Sequence, residues 1–194
     1  MLSFDDALAL LENYGKDAAW IRHCRAVSRV ADRAAALISE KREIDARLLT
    51  VGALLHDIGR YKTQDPIQHG VEGFRLLTSL GHHEEAFICA SHVLCGMRRE
   101  EAVQHGLPDR DFVPTRLEEQ LVPMIDGMVE VDRPTTLEAR CASISRRYQG
   151  NPAFLRRFET AADIARSFHQ SFRSDFGVSL EDIARETLGT NRQD

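Results

Sequence analysis

Apolar residues recur at steps of three and four along almost the whole chain, with polar residues between them. In one segment Trp20, Cys24, Val27, Ala31, Ala34 and Ile38 fall on a single stripe, the pattern of a helix that buries one face. No stretch of five or more residues alternates β-branched or aromatic side chains with polar ones, so no strand is expected. The pattern predicts an all-α fold.

Helix punctuation repeats along the chain. Ser3 is placed to cap a first helix that stops near Gly15, and Asp17 to cap the striped second one. A third helix is expected over 45–58, ending at Gly59 as a left-handed terminal residue. A fourth starts near Pro66 and stops at Gly81, and a fifth covers 84–95, with His92 inside it. Thr115-Arg116-Leu117-Glu118 and Thr135-Thr136-Leu137-Glu138 have the form of capping boxes and open two more helices. Asn151-Pro152 opens a long helix to about Ser174, and 179–188 forms a short last one. The polar stretch 106–114, with two prolines, reads as a loop. No low-complexity linker divides the chain. The expected organisation is a helical bundle over 1–150 with a C-terminal helical extension over 151–194, packed on the same domain or used between copies in a homo-oligomer.

Composition narrows the function classes. Of 194 residues, 43% are hydrophobic and 28% charged, ordinary values for a globular chain. The net charge of −5 argues against nucleic acid as a partner, which calls for a basic face, but allows a small phosphorylated substrate held by a few local cations. The apolar runs are too short to span a membrane. No basic segment leads into an apolar one at the N-terminus, and the four cysteines include no CxxC pair. A cytoplasmic protein with reduced thiols is expected.

One dipeptide does not fit a purely structural bundle. His56-Asp57 follows the apolar run Leu54-Leu55 and precedes Ile58-Gly59. An imidazole and a carboxylate at the end of a buried helix are costly to desolvate unless a cation sits between them. Asp126 poses the same problem after Leu121-Val122-Pro123-Met124-Ile125. His23, His69 and His92 are further residues of ligand type. Each alone has an ordinary explanation in packing or surface exposure. Together they share one explanation, a divalent metal site.

The order of these residues and their surroundings resemble the HD-domain superfamily of metal-dependent phosphohydrolases. The likeness runs from His23 to Asp126 and includes GALLHDIGR at 52–60, HGVEG at 69–73 and IDGMVEVDRP at 125–134. Stand-alone HDIG proteins of archaea and bacteria are similar, as are HD-type diadenosine tetraphosphate hydrolases. The resemblance implies that His23, His56, Asp57 and Asp126 hold one metal. His69 and His92 would hold a second, with Asp57 bridging the two. It departs from some dinuclear members at Val93, where those carry a second histidine.

The resemblance implies a phosphohydrolase that cleaves a phosphoester or phosphoanhydride of a nucleotide or small metabolite through metal-activated hydroxide, with His56 and Asp57 at the catalytic centre. Imidazole-rich donors favour iron or manganese, with zinc, nickel, cobalt or magnesium as further options. Arg60, Lys62 and Arg133 are the candidate phosphate-binding residues, ahead of Arg98 and Arg99. His82, His83, His105 and His169 are weaker candidates for chemistry, His83 as a substitute for His69. The pocket rim is expected from 61–68, 97–116 and the C-terminal helices. Two other classes fit the same ligand order: a di-iron oxygenase and a non-catalytic metal-binding signalling module.

Overall fold

A central helix, α3 (Ala46–Leu55), has seven of its ten residues buried, leaving only Ala46, Arg47 and Thr50 outside the core. The computed structural model to which it belongs describes residues 2–16 and 18–189, so the expected cap Asp17 lies outside the described residues. Leu48, Leu49 and Ala53 of α3 face one core cluster, while Val51, Leu54 and Leu55 face a second. The first cluster joins α3 to α2 (Trp20–Ser39), α7 (Leu117–Asp126) and α10 (Leu180–Gly189). The second joins it to α1 (Phe4–Gly15), α4 (Gln68–Ser79) and α5 (His83–Ser91). The remaining helices are α6 (Arg99–Gln104), α8 (Leu137–Arg147) and the long α9 (Pro152–Phe176). The all-α expectation holds, with one small exception. A two-residue β1 (Val129–Glu130) pairs antiparallel with β2 (Arg133–Pro134), far too short to register as alternation in sequence.

Most helix starts follow local side-chain chemistry. Ser3, Asp45, Thr136, Asn151 and Ser179 each accept a hydrogen bond from the backbone N–H three residues on. At α7 the capping residue is Arg116, so the reciprocal acceptor is Glu119, which takes the N–H groups of Thr115 and Arg116. Glu118 instead accepts from the Asp45 N–H at 2.7 Å and ties α7 to the start of α3.

Two helix ends differ from expectation. α3 stops at Leu55, and Ile58–Tyr61 forms a 3₁₀ turn. Gly59 there is not left-handed; the positive-φ glycines are Gly81, Gly96, Gly106 and Gly177. Its role is close approach, because a Cβ at Gly59 would lie 1.9 Å from the His69 carbonyl oxygen and 2.4 Å from the Gly73 nitrogen. α5 likewise ends at Ser91, and His92 is its C-cap, outside the body of the helix. The chain then bends through Leu94 (φ 51°), Cys95 (φ 59°) and Gly96 (φ 103°). Arg157 of α9 holds this turn: its guanidinium donates to the Leu94 carbonyl at 3.1 Å and to the Gly96 carbonyl, and pairs with Glu101 at 3.1 Å.

Candidate metal centre

The histidines converge because each sits at or near a helix end or on the stripe of a buried helix. His56 is the C-cap of α3 and Asp57 follows it. His92 is the C-cap of α5, His69 lies in the first turn of α4, and Asp126 is the last residue of α7. His23 lies one turn into α2. His23, His56, Asp57, His69 and His92 are all buried.

All four imidazoles are oriented alike. Nδ1 of His23 donates to the Val131 carbonyl at 3.0 Å, that of His56 to Ala53 at 2.7 Å, that of His69 to Asp65 at 2.9 Å, and that of His92 to Cys89 at 2.8 Å. Bonds of this kind set the tautomer and ring plane of metal-ligating histidines. The carbonyls have different origins. Those of Ala53, Asp65 and Cys89 lie three or four residues back along the chain. That of Val131 comes from the turn between β1 and β2, where this β-branched residue is held at φ 59°. Gly70 lets α4 approach the Cys89 carbonyl, to which a Cβ at this position would come within 2.6 Å.

With Nδ1–H committed, each neutral imidazole presents a lone pair at Nε2. These lone pairs meet one another and the carboxylates. His69 Nε2 lies 3.2 Å from His92 Nε2 and 3.0 Å from Asp57 Oδ1. His23 Nε2 lies 2.8 Å from Asp126 Oδ1, and His56 Nε2 lies 3.9 Å from the same oxygen. His56 Nε2 is fully buried and has no hydrogen-bond partner. Electron-rich atoms packed this closely require a cation among them. Two groups of donors satisfy the spacing, His23 with His56 and Asp57, and Asp57 with His69 and His92; within each group all the donor atoms lie within 4.8 Å of one another. The donors therefore fit a divalent metal, and Asp57 belongs to both groups.

The electrostatics agree. Burial pushes the Asp57 carboxyl up, but the fields of His69 and His56 and hydrogen bonds from His69 and His92, made when protons rather than a metal ion occupy their Nε2 atoms, hold it well below the usual range. Burial also opposes ionisation of Asp126, which the hydrogen bond and charge of His23 overcome. Burial drives His56 down to about 4, against the pull of Asp57 and Asp126, so its Nε2 stays free to coordinate near neutral pH. His23 is raised, because Asp126 outweighs the effect of burial.

A cavity of about 490 Å³ opens onto this cluster. Arg60 borders it and donates to Asp57 Oδ2. The structure does not bring Lys62 or Arg133 to the lining. Lys62 Nζ lies 2.6 Å from Glu72, and Arg133 is exposed on β2. Arg98 and Arg99 pair with Asp111 and Asp109 on the surface. The loop 97–116 contributes nothing to the lining, whereas Gln64 and Pro66 do. His83 is exposed and His69 holds the inner position; His105 caps α6, and His169 lies on α9 facing Glu181. The cation that sequence reasoning missed is Arg140 on α8. Its Nη2 lies 4.0 Å from Asp126 Oδ1, its Nη1 lies 3.5 Å from Glu130, and its Nε is buried without a partner. The signal was available, since Arg140 interrupts the apolar stripe Leu137, Cys141, Ile144 and Tyr148.

The chain belongs to the HD domain family, whose sequence model matches residues 20–151. The HD domain is the fold of a superfamily of metal-dependent phosphohydrolases. An uncharacterised protein of Methanocaldococcus jannaschii is 40% identical over 130 residues, covering 66% of this chain and 76% of that protein. A protein of Picrophilus torridus named tRNA (cytidine(56)-2'-O)-methyltransferase is 33% identical over 183 residues, covering 94% of this chain and 50% of that protein. One of the same name from Thermoplasma volcanium is 36% identical over 132 residues, covering 68% and 38%. The chain thus spans half or less of the two methyltransferases. No solved structure gives a significant match. Among the described residues no helix is long and apolar enough to cross a membrane.

Proposed function

We propose that the chain is a phosphohydrolase with a dinuclear metal centre, acting on a nucleotide or another small phosphorylated metabolite. The observation that carries this is the sharing of Asp57 between two donor groups, one toward His23 and His56 and one toward His69 and His92. Asp126 completes the first group through its approach to His23 and His56. Iron or manganese suits so imidazole-rich a set. When bound, the ions supply Lewis acidity toward phosphoryl oxygens and a nucleophile at neutral pH.

The chain's own residues supply orientation and charge. Asp57 is held between the imidazoles and Arg60, which fixes its plane. Arg60 lies against Asp57 and Arg140 near Asp126, and both line the cavity, where they offer planar N–H donors to non-bridging phosphate oxygens. Methyl transfer, named for two relatives, is not carried over, because most of those proteins' length or half of it lies outside the match.

The test is element analysis of protein purified without added metal, followed by assay against nucleotides and a chromogenic phosphodiester. About two ions per chain are expected, with about one in His92→Ala. His56→Ala and Asp57→Ala should lose turnover. Full turnover in either variant overturns the assignment. Oxygen consumption with an organic substrate, in place of phosphate release, would favour a di-iron oxygenase.

A further inference from the structure

The lining of the cavity is of two kinds. Asp57, Asp126, Arg60 and Arg140 supply charge. Leu137 and Ile144 of α8, Tyr148 just after it, and Phe154, Phe158 and Ala162 of α9 supply an apolar chamber, with Arg147 also on the cavity lining. Phe154, Phe158 and Ala162 recur at intervals of four, so they form one stripe of α9. They lie beyond residue 151, where the match to the HD domain family ends. The Tyr148 and Phe154 rings are 4.4 Å apart at their centroids, and the Phe154 and Phe158 rings are nearly parallel, 5° apart. Ala162 lines the same cavity as these rings. An apolar stripe facing a cavity, where it could have been packed against protein, is stabilised by an apolar occupant.

We infer that the substrate carries a flat aromatic group on its phosphate, seated in the α8–α9 chamber, while Arg140 binds the phosphate. This rests on the phosphohydrolase reading and adds the class of group attached to phosphorus. Of the six chamber side chains only Tyr148 carries a polar group, so selection by these six is by ring burial and stacking, not by reading hydrogen-bonding edges. A short polar ester that carries no ring would leave the stripe wet.

The test is calorimetric titration of the metal-loaded full chain with phenylphosphonate and with methylphosphonate, neither of which can be hydrolysed at its P–C bond. Phenylphosphonate should bind at least about tenfold more tightly, the effect of burying one ring. Ala162→Phe fills the chamber and should remove that preference while leaving methylphosphonate affinity and metal content unchanged. Phe158→Ala, which removes a wall without adding bulk, should reduce the preference too. Arg140→Met should weaken both ligands by the same factor. Equal affinity of the native chain for the two phosphonates overturns the chamber assignment alone. Binding of neither overturns the phosphohydrolase reading and the chamber with it.

Discussion

His23 donates its Nδ1 proton to the carbonyl of Val131, a residue 108 positions later in the chain. The contact closes the metal cluster from the side of the β1–β2 turn, and it depends on backbone that a valine adopts at a cost. Val131 sits at φ 59° with 52% of its surface exposed. Left-handed backbone disfavours a β-branched side chain by about 1–2 kcal/mol, and asparagine tolerates it better. Val131→Asn is therefore expected to raise stability by about 1 kcal/mol while metal content stays the same. Thermal unfolding with element analysis checks both halves, and a lower midpoint would show that the valine side chain matters more than its backbone.

Gly59→Ala should be severe. The added Cβ meets backbone atoms of α4, which cannot rotate away as a side chain would. Overpacking of this kind costs about 1–3 kcal/mol or more. Because His69 is on the displaced backbone, metal at the Asp57–His69–His92 group should weaken along with stability. Denaturant unfolding and a metal titration read the two effects separately.

Metal removal should destabilise the fold. Without a cation, the lone pairs of His69 and His92 face each other and His56 Nε2 has no partner. Metal at 100 times its dissociation constant should add about 2.7 kcal/mol. Calorimetry with and without a chelator measures this, and His56→Ala should lose most of the increment.

Glu72 offers a pH-dependent contribution away from the centre. Hydrogen bonds from Lys62 and Arg75, with their charges, outweigh burial and hold its carboxyl below the usual value. A depressed folded pKa means that the stabilisation is present above the unfolded glutamate value of about 4.3 and is lost as pH falls through the folded one. Lys62 and Arg75 are half-exposed, so the contribution is modest, about 1 kcal/mol. Glu72→Gln should accordingly trail the native protein at pH 7 and match it near pH 3. A constant gap across that range would show that packing, not charge, is responsible.

Local chemistry was the legible part of this fold. Caps such as Ser3, Asp45 and Asn151 act over three residues, and the α2 stripe is a periodicity, so both stand in the sequence. The donor residues were also legible, because His56-Asp57 and Asp126 are polar groups in apolar runs. What escaped depends on distant pairings. Nothing near Gly59 reveals that α4 passes within contact of it, so a left-handed helix end was the natural expectation. Nothing near Lys62 reveals that Glu72 occupies its ammonium. Arg133 and Arg140 are seven residues apart, one on β2 and the other on α8, and only the packing of the hairpin and the helix decides which one reaches the cavity.

Arg157 makes one mechanical unit of parts that perform separate tasks. Its guanidinium grips the Leu94 and Gly96 carbonyls, so the bend that aims His92 is fastened to the same helix that walls the chamber. The wall of the chamber and the backbone beyond His92 therefore share one fastening.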